Sequence, residues 1–323
     1  MTTPSNRMMK KVEQYLTHRR SLGYKIHSDG YQLRSFARYA DLHAPGKPLT
    51  IELALRWATD PKGTQRVYHA KRLDALRTFA RYLVVFEPRT EIPPTGLLGP
   101  SFKRVPPHIY SQQEIAALIG ESLTYRPSLR RNPLTGLRNA TVIGLLACTG
   151  MRIGEVLALK DGDVDLEQGL ITVRESKNLP MRLVPITDCA VDHLRRYQKA
   201  RDQRFGYSDE SHAFIRSPRG GHLGYGTMMW AFKQLRERIG LESTSGRNPC
   251  LHDLRHTFAC NHLLRAYQEN RNIDNAVHEL SIYLGHATLA STYWYFSGVP
   301  ALLEQCVKRG EAQSLRYRNG GRS

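Results

Sequence analysis

Long apolar runs are missing from this sequence of 323 residues. The longest uncharged apolar stretch, Thr141–Gly150, is about half of what a membrane span needs. Residues Met1–Lys11 lack the apolar core of a signal peptide. Cysteine is scarce: Cys148, Cys189, Cys250, Cys260 and Cys306 are odd in number, scattered, and form no Cys-x-x-Cys pair. Neither a disulfide framework nor a cysteine zinc site is expected, which points to a reduced, cytoplasmic protein. No internal repeat or low-complexity tract is visible. Acidic residues are also few, 29 Asp and Glu against 47 Lys and Arg.

The resulting net charge is +18. A chain this basic usually meets a polyanion, and nucleic acid is the first candidate. Residues 1–110 hold 7 Lys and 12 Arg against 4 Asp and 4 Glu, a net +11, and the remaining 213 residues carry +7. The more cationic first third suits a segment that grips a phosphate backbone and releases its counterions. The length is comfortable for two domains.

Hydrophobic spacing predicts four helices in the first part: 6–22, 27–43, 50–59 with Thr50 as its cap, and 64–86. In the last, Tyr68, Leu73, Leu76, Phe79 and Leu83 form an apolar stripe, and Arg66, Lys71, Arg72, Arg77 and Arg81 supply charge. A proline-dense stretch up to Pro107 reads as a linker. We therefore expect a helical domain over 1–88, a linker over 89–110, a second domain over 111–310 and a basic tail over 311–323. Ser111-Gln-Gln-Glu114 is a capping box that opens the second domain. A helix over 138–159 follows, interrupted at Thr149-Gly150, then strands at 169–175 and 182–186 joined by a turn at 176–181. Helices are expected at 190–204, 227–239, 252–267, 274–284 and 300–309.

Four short motifs carry the chemistry. In Thr149-Gly-Met-Arg-Ile-Gly-Glu155, the helix break aims Arg152 into a cleft, where its planar fork suits two phosphate oxygens; its bland role is a pair with Glu155. In His252-Asp-Leu-Arg-His256, His252 and Arg255 share one helix face and present a tunable imidazole and a cation to one point. His252 and His256 also have the spacing of a helical zinc site, but that pattern needs Glu where Asp253 stands, and His256 reads as a core histidine. Lys177 lies at the hairpin tip, where a lysine is ordinarily just solvated. Leu284-Gly-His286 is followed by Tyr293, Trp294 and Tyr295, a cluster whose ordinary use is packing.

Together, and in this order, the motifs resemble those of the tyrosine recombinase (phage integrase) family. That family carries Thr-Gly-(Leu/Met)-Arg-x-(Gly/Ser)-Glu, matched at 149–155, and a lysine five residues before Arg-x-x-Pro, matched by Lys177 and Arg182-Leu-Val-Pro185. It carries His-x-Leu-Arg-His, matched at 252–256, and Leu-Gly-His with a nucleophilic tyrosine nine residues on, matched by His286 and Tyr295. The turn 176–181 lacks the glycine often found in the family's hairpin, and the spacing from His286 selects Tyr295 over Tyr293.

The resemblance implies a mainly α chain. A helical core-binding (SAM-like) domain would precede a mixed α/β catalytic domain with a small antiparallel sheet, the DNA breaking-rejoining fold. It implies that Arg152 and Arg255 clamp the scissile phosphate, that His252 and His286 donate to it, and that Lys177 is the general acid. Tyr295 would be the nucleophile, with Glu155 and His256 in support. The implied partner is double-stranded DNA with specific recombination sites, held by a homotetramer with two subunits active at once. No cofactor, metal or ATP is implied. Rival readings are a type IB topoisomerase, a non-catalytic DNA-binding relative and a metal-dependent hydrolase.

Overall fold

A computed structural model of the chain describes residues 6–24, 26–102, 105–124, 134–174, 181–207, 209–242, 246–285, 288 and 292. It divides into two compact units, Met1–Arg104 and Val105–Ser323. Among the described residues no helix is long and apolar enough to cross a membrane.

The first unit contains α1 (Arg7–Ser21), α2 (His27–His43), α3 (Ile51–Thr59) and α4 (Arg66–Leu83). Val12, Leu16, Leu33, Phe36, Trp57, Leu73, Leu76 and Phe79 form its core. Thr50 caps α3 as expected, its Oγ1 accepting from Leu53 N at 3.2 Å. The first turn of α1 has no acidic residue of its own. Its orphan donors are met from α2 instead, where the Asp41 carboxylate accepts from the Met8 and Met9 amides at 2.9 and 3.1 Å.

The charged face expected of α4 is partly internal. Arg72 is buried, with its guanidinium 4.1 Å from the Trp57 ring centroid. Arg77 is buried too, donating to the Pro93 and Pro94 carbonyls at 2.8 and 2.9 Å and to Asp74. Prolines cannot donate, but their carbonyls are good acceptors, and the guanidinium uses two of them. The Glu91 amide donates to Leu49 O at 2.9 Å, and Arg66 Nε donates to Leu98 O at 3.1 Å. Residues 91–98 therefore belong to the first unit, held to Leu49 and to α4.

The second unit contains α5 (Gln112–Thr124), α6 (Leu134–Thr149), α7 (Ile153–Ala158), β1 (Val164–Asp165), β2 (Leu170–Val173) and β3 (Arg182–Pro185). Then follow α8 (Asp188–Phe205), α9 (Tyr225–Arg238), α10 (Leu251–Gln268) and α11 (Ile273–Leu284). The three strands form an antiparallel sheet in the order β1-β2-β3, with Ile171 opposite Val184 and Val173 opposite Arg182. Val142, Leu146, Ile171, Val184, Leu194, Phe214, Phe232 and Leu254 belong to one core shared by helices and sheet. The expectation of a mainly α chain with a small antiparallel sheet holds.

The capping box is present, with Glu114 N donating to Ser111 Oγ at 3.1 Å and Ser111 N to Glu114 Oε2 at 2.7 Å. α6 begins at Leu134, four residues before its expected start. Gly136 looks like a helix breaker in sequence. In the structure it lets α5 come close: a Cβ there would stand 2.5 Å from the Ser122 carbonyl oxygen. The turn 176–181 lies, except for Met181, outside the described residues, as does the helix expected at 300–309.

Candidate active site

The site starts at the end of α6. The Thr149 hydroxyl turns back to Leu145 O at 2.5 Å, and Gly150 follows with φ +62°. A side chain is excluded there twice over: by the left-handed backbone, and by Phe258, whose Cδ1 would be 2.5 Å from a Cβ. The chain turns at this glycine, and Arg152 becomes the residue that precedes α7. The Arg152 amide donates to Glu155 Oε2 at 2.8 Å, which satisfies an orphan donor at the start of α7.

Two arginines then meet the end of α11. Arg255, on α10 and 1% exposed, donates from Nη1 to Gly150 O at 2.8 Å and from Nη2 to Leu284 O at 2.6 Å. Arg152 donates from Nη2 to Gly285 O at 3.0 Å. The last carbonyls of a helix have no partner within it and carry its negative end, so cationic donors are favourable there. In this way the motifs at 149–155 and 252–256 and the start of the one at 284–286 are joined by hydrogen bonds, although the first lies more than a hundred residues from the other two in sequence.

Arg152 Nη1 donates to Glu155 Oε1 at 2.9 Å. Glu155 also receives a second guanidinium. Arg182 at the start of β3 donates from Nη1 to Oε1 at 3.2 Å and from Nη2 to Oε2 at 2.7 Å. Burial works against the charged form of Glu155, but the hydrogen bonds from Arg182 and from the Arg152 amide outweigh it and hold the carboxyl below its ordinary range. Arg182 has no role among those implied by the motifs. The available signal was its place in Arg182-Leu-Val-Pro185, where a charged residue opens a strand whose neighbour two positions on, Val184, is fully buried.

His252 stands at the start of α10 and reaches solvent, yet packed protein strips much of its hydration. That loss of water, and next the Arg255 cation, push its imidazole below the ordinary 6.5, and Arg152 and Arg247 act in the same direction. The neutral ring is therefore favoured near neutral pH. The His256 ring packs edge-on against it, centroids 4.7 Å apart. The structure thus brings together Arg152, Glu155, His252, Arg255 and His256. Lys177, His286 and Tyr295 lie outside the described residues.

What this arrangement offers is a cluster of cationic donors. One guanidinium is buried and fixed, and a second has a side chain 33% exposed. An imidazole stands within their electrostatic reach. An anion with more than one free oxygen fits such a set of donors.

Comparison with known proteins gives matches over the same residues. The model of the phage integrase family matches residues 112–298. A Sinorhizobium fredii protein named an integrase/recombinase, y4rB, is 38% identical over 304 residues, 93% of this chain and 96% of that one. The tyrosine recombinase XerD of Rhizobium meliloti is 32% identical over 235 residues, covering 72% of this chain and 71% of its own. Among solved structures, the Tn1549 transposon integrase in complex with transposon right end DNA superposes with a TM-score of 0.66 at 16% identity, over 94% of this chain and 99% of that one. The family match contains all four motifs, including the three whose residues meet at the end of α11, and by it and by these relatives the chain belongs to the phage integrase family of tyrosine recombinases.

Proposed function

We propose that this chain is a site-specific DNA recombinase that cuts and rejoins strands through a 3′-phosphotyrosine on Tyr295, in the integration, excision or transposition of a DNA element. The observation that carries the reading is the meeting of Arg152 and Arg255 at the end of α11, ten and eleven residues before Tyr295 in sequence, with His252 within electrostatic reach of both. The Tyr295 oxygen attacks a DNA phosphorus, and the 5′ oxygen leaves with a proton from Lys177. Arg152 and Arg255 offset the charge on the pentavalent centre, with His252 and His286 as further donors. The 5′-hydroxyl of another strand then attacks the phosphotyrosine and restores the tyrosine. The bond energy stays in the intermediate, so ATP has no part, and no step calls for a metal.

The first unit would grip duplex DNA through its excess of positive charge, with residues 89–110 as the connection to a catalytic domain over 111–310 and a basic tail beyond. The working form would be a homotetramer on two synapsed sites, in the cytoplasm. A type IB topoisomerase would use the same intermediate but rejoin the original strands. Incubation with nicked duplex DNA tests the reading. A covalent adduct should form with the native chain, survive EDTA and vanish in Tyr295→Phe. An adduct that persists in Tyr295→Phe and vanishes in Tyr293→Phe would show that the nucleophile is misassigned.

A further inference from the structure

No step above falls to Arg182, yet its guanidinium is held in a two-pronged pair. It opens β3, opposite Val173 of β2, and its side chain is only 13% exposed. Both of its terminal nitrogens are on Glu155, whose own side chain is 4% exposed. Glu155 thus receives four donors: the Arg152 amide, Arg152 Nη1, and the two prongs of Arg182.

The distribution of those donors matters. A buried carboxylate with one cationic partner draws that partner into a two-pronged pair, the strongest geometry open to it. Here the two-pronged partner is Arg182. Arg152 touches Glu155 with one prong, reaches Gly285 with the other, and keeps a third of its side chain exposed. Two guanidiniums on one carboxylate also leave a net positive charge. We infer that Arg182 is a positioning residue for strand cleavage, occupying Glu155 from the sheet side so that Arg152 keeps its orientation and its capacity to take a phosphate oxygen. The inference rests on the proposed role of Arg152 as a phosphate ligand. Arg182 sits on a paired strand, a rigid support of the kind such a role needs.

The test uses the full chain and a nicked duplex selected from a random-sequence pool by binding to it. Arg182→Ala should slow single-turnover formation of the Tyr295 adduct about 100-fold, the scale of a misplaced catalytic group, with DNA affinity unchanged. Arg182→Lys keeps the charge but loses the fork, and should fall between the two. The deciding substrate has a methylphosphonate at the scissile position. Its centre carries no charge for Arg152 to neutralise, so the gap between native chain and variant should narrow. If Arg182 only stabilises the fold, the gap is equal on both substrates. That result, or native-like cleavage by Arg182→Ala, overturns the inference alone. If the native chain forms no Tyr295 adduct, the recombinase reading falls and this inference with it. Should Arg182→Ala not fold, Arg182→Lys is compared on the same two substrates.

Discussion

Arg152 and Arg255 donate to consecutive carbonyls at the end of α11, Gly285 at 3.0 Å and Leu284 at 2.6 Å. A side chain from the residue that precedes α7 and one from α10 therefore hold one helix end. Whatever displaces either guanidinium also removes an acceptor's partner, so under the proposed function stability and chemistry are tied at this point.

Arg255→Ala should show that tie. It leaves the Gly150 and Leu284 carbonyls without this donor in a buried setting. A loss on the order of 2–5 kcal/mol is expected in urea unfolding. Adduct formation should drop about 100-fold or more in protein that remains folded. A variant with native stability would contradict the buried geometry described for Arg255.

Gly150→Ala should destabilise the second unit by on the order of 2–4 kcal/mol. Its φ of +62° disfavours any side chain, and Phe258 blocks the space a methyl would need. The denaturant midpoint decides this, and Phe258→Ala in the same chain should recover part of the loss by opening the space.

Acid should weaken the fold before any carboxylate titrates. His193, His252 and His262 are all held below the ordinary 6.5, each mainly by burial and next by an arginine: Arg196, Arg255 and Arg271 respectively. The unfolded chain takes up these protons first as pH falls. Stability is therefore full above about 6.5 and declines below it, until the folded values are passed. Glu155, held low by its arginines, adds a second loss at more acidic pH, below its ordinary 4.5. Urea midpoints from pH 8 to pH 4 should trace both; a midpoint flat between pH 7 and 5 would refute the histidine contribution.

In the first unit, Asp41→Ala should cost about 0.5–2 kcal/mol, the usual loss for a helix N-cap, although Asp41 is on a different helix from the one it caps. Asp41→Asn, which keeps an oxygen acceptor, should lose less. Equal losses in the two variants would mean that charge, not the hydrogen bond, is what α1 needs.

Local signals were legible in sequence wherever cause and effect lie within one turn. Thr50, the Ser111-Glu114 box and the full span of α2 needed only nearest neighbours. The spacing of Arg152 from Glu155 was also local, and the ion pair weighed for Arg152 is present. What escaped depends on partners far along the chain. Arg72 and Arg77 read only as a supply of charge because Trp57, Pro93 and Pro94 are their tertiary companions. The start of α6 was placed four residues late because the Ser122 carbonyl that Gly136 admits is on another helix. Arg182 was passed over because its acceptor lies 27 residues upstream. β1, at two residues, is too short for any alternation to register.

The contacts of residues 91–98 bear on how the chain can be divided at the bench. A fragment cut after residue 88 would take away Glu91, Pro93, Pro94 and Leu98, and with them the carbonyls that receive Arg77 and Arg66. Arg77 would then face its former neighbours as a charge without its carbonyl acceptors, and such a fragment should dissolve poorly or unfold early. A cut after residue 102 preserves every one of these bonds, and is the natural place to separate the two units for crystallisation or NMR.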